Sequence, residues 1–365
     1  MTKVLFKKSS YNYDELKDNI YSLLSDIDND TIKQGDRVLI KPNLLAATSP
    51  DKAITTHPKI VRAVCEYVLE KGASVQVSDS PALDKFDRVV KETELKDTLK
   101  DLNIKLKPLE NPTHIPLLNN FKQLKISKDA VDADVVINLP KLKSHTQMGL
   151  TLAVKNLFGC VVGFQKSQWH LKIGENREKF AELLVTIHNV IKPSINIIDG
   201  ILALEGNGPG SSGTVKHIGL LIASTNAVSL DMAICEMLGI NPYTLATNNA
   251  AKRLNGVNDY TIIGDFKKVT DFKLPVMTSI VFGPDFIKKF IRKNLTARPS
   301  GIRDKCKVCT ECIKICPAGA IENQKTHVGF DYHKCIRCFC CLEICPHAAI
   351  KVHEPILGKA VRKFI

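Results

Sequence analysis

The 365-residue chain has no apolar run near the ~20 residues that a membrane-spanning helix needs, so a bilayer-spanning protein is not expected. Its opening, MTKVLFKKSSYNYDELKDN, is charged but lacks an apolar core and a small-residue cleavage site. That argues against a secretory signal and makes the cytoplasm the expected compartment. The one glycine-rich stretch is Glu205-Gly206-Asn207-Gly208-Pro209-Gly210-Ser211-Ser212-Gly213. It has neither a Gly-Lys-Ser/Thr ending nor a strand–G-x-G-x-x-G–helix setting, so it is not a Walker loop or a dinucleotide fingerprint. It reads as a mobile turn, or as a lid or anion nest over strand ends. No flavin or nicotinamide motif and no ordered Ser/His/Asp set is found. Cysteine is nearly missing from the first 295 residues, where only Cys65, Cys160 and Cys235 occur.

Nine of the twelve cysteines lie between Cys306 and Cys345. A chain this long can build a core without disulfides, so such a cluster points to metal. The spacing is Cys306-x2-Cys309-x2-Cys312-x3-Cys316-Pro317, repeated as Cys335-x2-Cys338-x2-Cys341-x3-Cys345-Pro346, with 29 residues between counterparts. Ile313–Ile321 (IKICPAGAI) also matches Leu342–Ile350 (LEICPHAAI), so the unit is an internal duplication. Three cysteines at intervals of three can wrap one iron–sulfur cubane. The fourth, before proline, faces the other half and ligates the other cluster. The rival is a pair of zinc sites, but zinc favours paired C-x2-C motifs over two runs of four. Cys340 breaks the repeat, because its counterpart is Glu311; it reads as an accessory thiol near a cluster.

This segment resembles bacterial-type two-cluster ferredoxins. The resemblance implies two [4Fe–4S] clusters, one held by Cys306, Cys309, Cys312 and Cys345, the other by Cys335, Cys338, Cys341 and Cys316. One cluster would receive electrons and the other release them.

The formal net charge is +13, and two filled cluster sites, each contributing 2−, lower it to +9. The excess is spread along the chain, which suggests an acidic redox partner protein rather than a nucleic-acid footprint.

The first 285 residues read as alternating strands and helices, that is, an α/β fold with a mainly parallel sheet covered by helices. Asn12 and Glu15 open a helix whose apolar face is Leu16, Ile20, Leu23, Leu24 and Ile27. Pro58 starts another, and Gly72 ends it. Strands are expected at Arg37–Ile40, Ser74–Ser78, Asp134–Leu139, Ile195–Asp199 and Ile218–Ala223, with helices around 178–191 and 227–238. The expected division is 1–285 for the α/β domain, 286–300 for a linker helix and 301–365 for a small α+β ferredoxin-like domain. In the linker, Phe286, Ile287, Phe290 and Ile291 form a stripe among Lys288, Lys289, Arg292 and Lys293. This stripe is expected to pack on the main domain, a membrane-surface role being the alternative. Arg298-Pro299-Ser300-Gly301 is expected to break the chain.

Polar residues gather where the expected strands end, the edge at which open α/β sheets bind ligands. They are Lys41 and Asn43, His57, Asp79 and Ser80, Lys141, Lys143, Ser144 and His145, and Asp199. Their basic balance suits an anionic small molecule. Plainer roles remain open for each: Asp79 and Asp199 as caps, His57 as a capping residue before Pro58, and one of Lys141 and Lys143 merely solvated. Lys155 lies in an apolar stretch, where burying a lysine without a partner is costly, so a functional role is favoured for it over a structural ion pair.

VLIKPN (38–43), TTHP (55–58), SDSPA (78–82), NLPKLKSHTQMGLTLAVKNLFG (138–159) and IDGILALEGNGPG (198–210) resemble the iron–sulfur-associated family called domain of unknown function 362. The resemblance covers about residues 35–240. It implies a shared α/β domain and a shared site around Lys41, His57, Asp79, Lys141, His145, Lys155 and Asp199, but supplies no reaction. The leading expectation is an iron–sulfur redox protein relaying electrons to or from a site in the α/β domain, for oxidation or reduction of an anionic small molecule. Whether it is an enzyme, of ferredoxin-type oxidoreductase character, stays open. The alternatives are a carrier whose α/β domain only docks a partner enzyme, and a protein whose clusters only hold the fold.

Overall fold

A computed structural model describes all residues except 117–120, 123, 164, 277–283 and 363–365. The end of the expected 1–285 domain and the last residues of the expected 301–365 domain therefore lie outside the described residues. Ten strands form the main sheet: β1 (Thr2–Lys8), β2 (Arg37–Pro42), β3 (Ser74–Val77), β4 (Lys105–Leu106), β5 (Val135–Leu139), β6 (Lys141–His145), β7 (Gly149–Thr151), β8 (Ile195–Gly206), β9 (Gly213–Ser224) and β10 (Tyr260–Gly264). Their order is β10-β1-β9-β8-β5-β2-β3-β4, with β6 paired to β8 and β7. The run β8-β5-β2-β3-β4 is parallel, and β9 is antiparallel to both its neighbours. The chain steps outward from β2 to β3 and β4, then returns to the opposite side of β2 as β5. That reversal is a topological switch point, where a crevice opens at the strand ends.

Alternate side chains along the strands feed two cores. Leu5, Val38, Ile40, Val135 and Ile137 pack with helices α1 (Tyr13–Asp28) and α2 (Pro58–Glu70) on one face. Val4, Phe6, Leu39 and Val136 pack with helices on the other. Those are α3 (Ala153–Asn156), α4 (Gln165–Ile173), α5 (Arg177–Ile191) and α6 (Ala227–Met237). A parallel sheet needs this double cover, because βαβ crossovers place helices on its faces. The Asn12 side chain caps α1 by accepting from the Glu15 amide, and Pro58 occupies the first turn of α2. β1 was not among the expected strands. It pairs only with β9 and β10, far along the chain, and carries Lys3, Lys7 and Lys8 amid its apolar residues.

After α7 (Asp285–Asn294), Arg298–Gly301 forms strand β11 instead of breaking the chain. It pairs with the antiparallel strand β14 (Ile350–His353), so the small domain's sheet begins before residue 301. Between them come α8 (Glu311–Ile315), the hairpin β12 (Ile321–Asn323) and β13 (Val328–Phe330), and α9 (Cys340–Ile344); α10 (Ile356–Arg362) follows. The α7 stripe divides. Ile291 is buried, but Phe286 and Phe290 are 71% and 59% exposed, so the stripe does not pack wholly inward. The side chains of Lys288 and Lys289 lie outside the described residues.

The glycine-rich stretch between β8 and β9 joins the two domains. Gly208 donates its N–H to Ser144 Oγ and accepts from Thr146 N and Oγ1, which pins the loop to the end of β6. Gly210 lies against the Glu343 carbonyl of α9, and Ser212 Oγ donates to the Ile350 carbonyl. A Cβ at Gly210 would overlap that carbonyl. Gly210→Ala is therefore expected to loosen the domain contact without loss of iron. Faster trypsin cleavage around residues 285–300, with the ~400 nm absorption retained, would show this; wild-type cleavage kinetics would refute it.

Candidate functional site

The eight repeat cysteines gather in two foursomes. Cys312 is pushed up to about 12 by burial and by Cys345, Cys309 and Cys306, which face it. Cys335 is pushed up to about 11, by burial first, with Cys338 and Cys316 among its neighbours. Burial, Cys338, Cys335, Cys312 and Cys316 raise Cys341 well above an ordinary thiol. The backbone bends alike in both halves, with positive φ at Val308 and Arg337 and at Thr310 and Phe339. Matching amides, Ala320 N and Ala349 N, donate to Cys316 Sγ and Cys345 Sγ at 3.3 and 3.2 Å. Amide donors to sulfur stabilise thiolate character, and several thiolates packed together require a cation to neutralise them. Among the described residues no three metal-binding side chains converge closely enough for a single ion. The donor set fits two [4Fe–4S] groups in the crossed arrangement.

The domains enclose a cavity of about 110 Å³ at the switch point. Lys41 and Asn43 follow β2, Asp79 and Ser80 follow β3, Lys143 comes from β6, Lys155 and Asn156 from α3, and Lys166 and His170 from α4. Ile315 of α8 and Cys340, Glu343 and Ile344 of α9 close the other side. Lys41 Nζ pairs with Asp79 Oδ1 at 2.9 Å, and Asp79 Oδ2 accepts from the Leu44 amide. Gly159 leaves room for this pair, because a Cβ there would overlap both partners. Lys143 Nζ donates to Asn43 Oδ1 and to the Ile54 carbonyl. Lys166 donates to Ser80 Oγ and to the Ser80 and Pro81 carbonyls. Burial pushes the Lys166 ammonium down to about 8, and pushes Lys143 and Lys155 down as well.

Lys155 has no hydrogen bond or ion pair among the described residues. Two further groups in the wall hold buried polar atoms without a hydrogen-bond partner among the described residues: His170 Nδ1 and Thr151 Oγ1. Buried polar groups are normally satisfied, so these atoms make the wall a candidate for water or a ligand. His145 stands behind this wall. Its Nδ1 accepts from the Gln147 and Met148 amides, so Nε2 carries the hydrogen and lies 2.9 Å from Glu343 Oε1. Burial works against the Glu343 carboxylate, yet His145 and Lys155 hold it at about 2.

The expected site residues fall into two neighbouring groups. Lys41, Asp79 and Lys155 line the cavity, with His145 one contact behind. His57, Lys141 and Asp199 form a separate buried cluster with Tyr11. There Lys141 Nζ and Tyr11 Oη donate to Asp199 at 2.8 and 2.7 Å, and the His57 amide adds a third bond. Lys141 and Asp199 are both 0% exposed, and Lys143 is buried too, so neither lysine of this strand is merely solvated. His57 does cap α2, its Nδ1 accepting from Lys59 N, while its ring stacks on Tyr11 at 3.8 Å.

Glu343 and Lys166 were not among the expected residues. One signal was available for Glu343, in the departures from the repeat. Its counterpart is Lys314, and that of Cys340 is Glu311. Glu311 and Lys314 form a surface ion pair at 2.7 Å, whereas Cys340 and Glu343 both face the cavity. The duplication diverges on the side that docks.

Breaking a buried ion pair strands the remaining charge, at a cost of about 3–5 kcal/mol. Asp199→Ala should lower stability by about that much, and adding Lys141→Met should recover most of it in denaturant melts. A double variant no more stable than the single one would refute this.

The model for the domain of unknown function (DUF362) matches residues 38–236, just over half of the chain. A 4Fe-4S dicluster domain matches residues 299–346. The chain is 40% identical over 256 residues to a thylakoid-associated protein of Synechocystis, covering 70% of this chain and 79% of that one. A solved lactate racemase apoprotein from Thermoanaerobacterium thermosaccharolyticum aligns with a TM-score of 0.41 at 13% identity, over 66% of this chain and 57% of that chain. Iron–sulfur electron transfer is the function that the dicluster domain supports. With its α/β domain, switch-point motifs and paired cysteine runs, the chain belongs to the family of the domain of unknown function DUF362.

Proposed function

We propose that the protein oxidises or reduces a small anionic molecule bound in the cavity between its domains. One observation carries this reading: the wall that presents the unpaired Lys155 is shared with α9, the helix that bears the ligand Cys341 and the thiol Cys340. When bound, the two [4Fe–4S] groups supply single-electron transfer. Cys309 is exposed, so its foursome suits exchange with an outside carrier. Cys338 and Cys340 pack with Ile315, Ile344, Ala82 and Leu83 beside the cavity, so the second foursome suits exchange with the bound molecule.

The chain's own residues do the rest. Lys155 and Lys143, lowered by burial, regain favourable charge when an anion arrives, so they hold a carboxylate or phosphate. Lys166, at about 8, is poised near neutrality to lose or gain a proton. Ile315 and Ile344 exclude water from the side nearest the cysteines. About 110 Å³ admits a small molecule or one end of a larger one.

The test is anaerobic. Reduced protein is mixed with candidate anionic acceptors, and reoxidation is followed by the return of visible absorption. Lys155→Ala should retain iron and sulfide but lose acceptor-dependent reoxidation by at least about tenfold. Reoxidation unchanged in Lys155→Ala would take the cavity out of the chemistry and favour an α/β domain that only docks a partner.

A further inference from the structure

The outer face of α7 takes no part in the cavity or in either foursome of cysteines. Its inner side is fixed. Ile291 is buried, Arg292 Nη2 donates to the Cys335 carbonyl and pairs with Glu175 at 3.0 Å, and Arg337 donates to the Arg292 carbonyl. The outer side carries Phe286 and Phe290, one helical turn apart and 71% and 59% exposed. α10 touches α7, and Gly358 permits the approach, since a Cβ there would overlap the Leu295 carbonyl. On α10, Ile356 is 85% and Leu357 52% exposed. Four large apolar side chains thus face outward on two touching helices.

The charge around them has one sign. In sequence, residues 285–294 and 356–362 of the two helices contain six Lys or Arg against a single acid, Asp285. Arg292 is turned inward, and Lys293, seven positions from Phe286, is exposed beside the stripe. Exposed aromatics with flanking lysines on a short amphipathic helix suit the boundary of an anionic bilayer, where rings enter the acyl edge and ammonium groups meet headgroups. A protein partner matched to so basic a pair of helices would need an equally dense acidic rim around an apolar centre. A second copy of this face would set cations against cations. Among the described residues no helix is long and apolar enough to cross a membrane, so the contact would be peripheral.

We infer that α7 and α10 form a docking face for an anionic lipid surface. The test uses the full-length holoprotein, prepared anaerobically, and sedimentation with vesicles of mixed phosphatidylglycerol and phosphatidylcholine or of phosphatidylcholine alone. Binding is expected with the anionic vesicles only, weakening as salt rises. Phe286→Glu with Phe290→Glu should retain iron content and visible absorption but reduce binding by at least about tenfold. Lys293→Glu should reduce it about fivefold or more. Wild-type protein left in the supernatant with anionic vesicles, or a double variant that binds like wild type, would overturn the inference. So would a wild-type dimer that ignores vesicles and that the double variant makes monomeric, since the face would then serve self-association.

Discussion

A buried carboxylate at a domain seam organises this molecule. Glu343 projects from the dicluster domain between the repeat cysteines Cys341 and Cys345 and lies among His145, Lys155 and His170 of the α/β domain. An unpaired carboxylate there would be costly, and the basic cavity without it would carry uncompensated lysines. Each domain therefore supplies the charge that the other lacks. The Gly208–Gly210 segment holds the seam closed from the side, bonded to β6 and pressed against α9. Packing, electrostatics and the site's geometry depend together on this one contact.

The lysines show how far the sheet goes to concentrate positive charge at the switch point. Lys41 is answered by Asp79 and Lys141 by Asp199, so these two pairs are structurally balanced. Lys143 and Lys166 rest on neutral oxygens, and Lys155 on none among the described residues. The Tyr11 cluster is thus balanced, whereas the cavity wall mixes the balanced Lys41–Asp79 pair with lysines that no carboxylate answers directly. The uncompensated positive charge is therefore confined to the cavity wall. The cysteine foursomes follow a similar division, buried beside the cavity and exposed at Cys309.

Much of this was legible in the residues. The cysteine spacing, repeated after 29 positions, announced the cluster domain because metal ligation tolerates little variation in loop length. The strands β2, β5 and β8 announced themselves because strands buried on both faces read as largely apolar runs, and β3 by its alternation of apolar and polar residues. Lys41, Asp79 and Lys155 were legible as polar residues at strand ends or amid apolar sequence. What stayed hidden was long-range. Strand β1 depends on partners more than 200 residues away, and β11 on a partner across the whole cluster domain. Nor did spacing reveal that His57, Lys141 and Asp199 turn to Tyr11 while Lys155 turns to α9. Glu343 was hidden because a carboxylate between two cluster ligands looks like a solvated surface charge, as its counterpart Lys314 is.

The link between the cavity and one set of cysteines is tested most directly by anaerobic redox titration of wild type and Lys155→Met, read by electron paramagnetic resonance. Lys155 interacts electrostatically with Cys340 and Glu343, close to Cys341. Removing its charge should lower the midpoint potential of one centre and leave the other in place, with Lys155→Arg restoring the wild-type value. Two midpoint potentials that stay put, or that move together, would contradict that link.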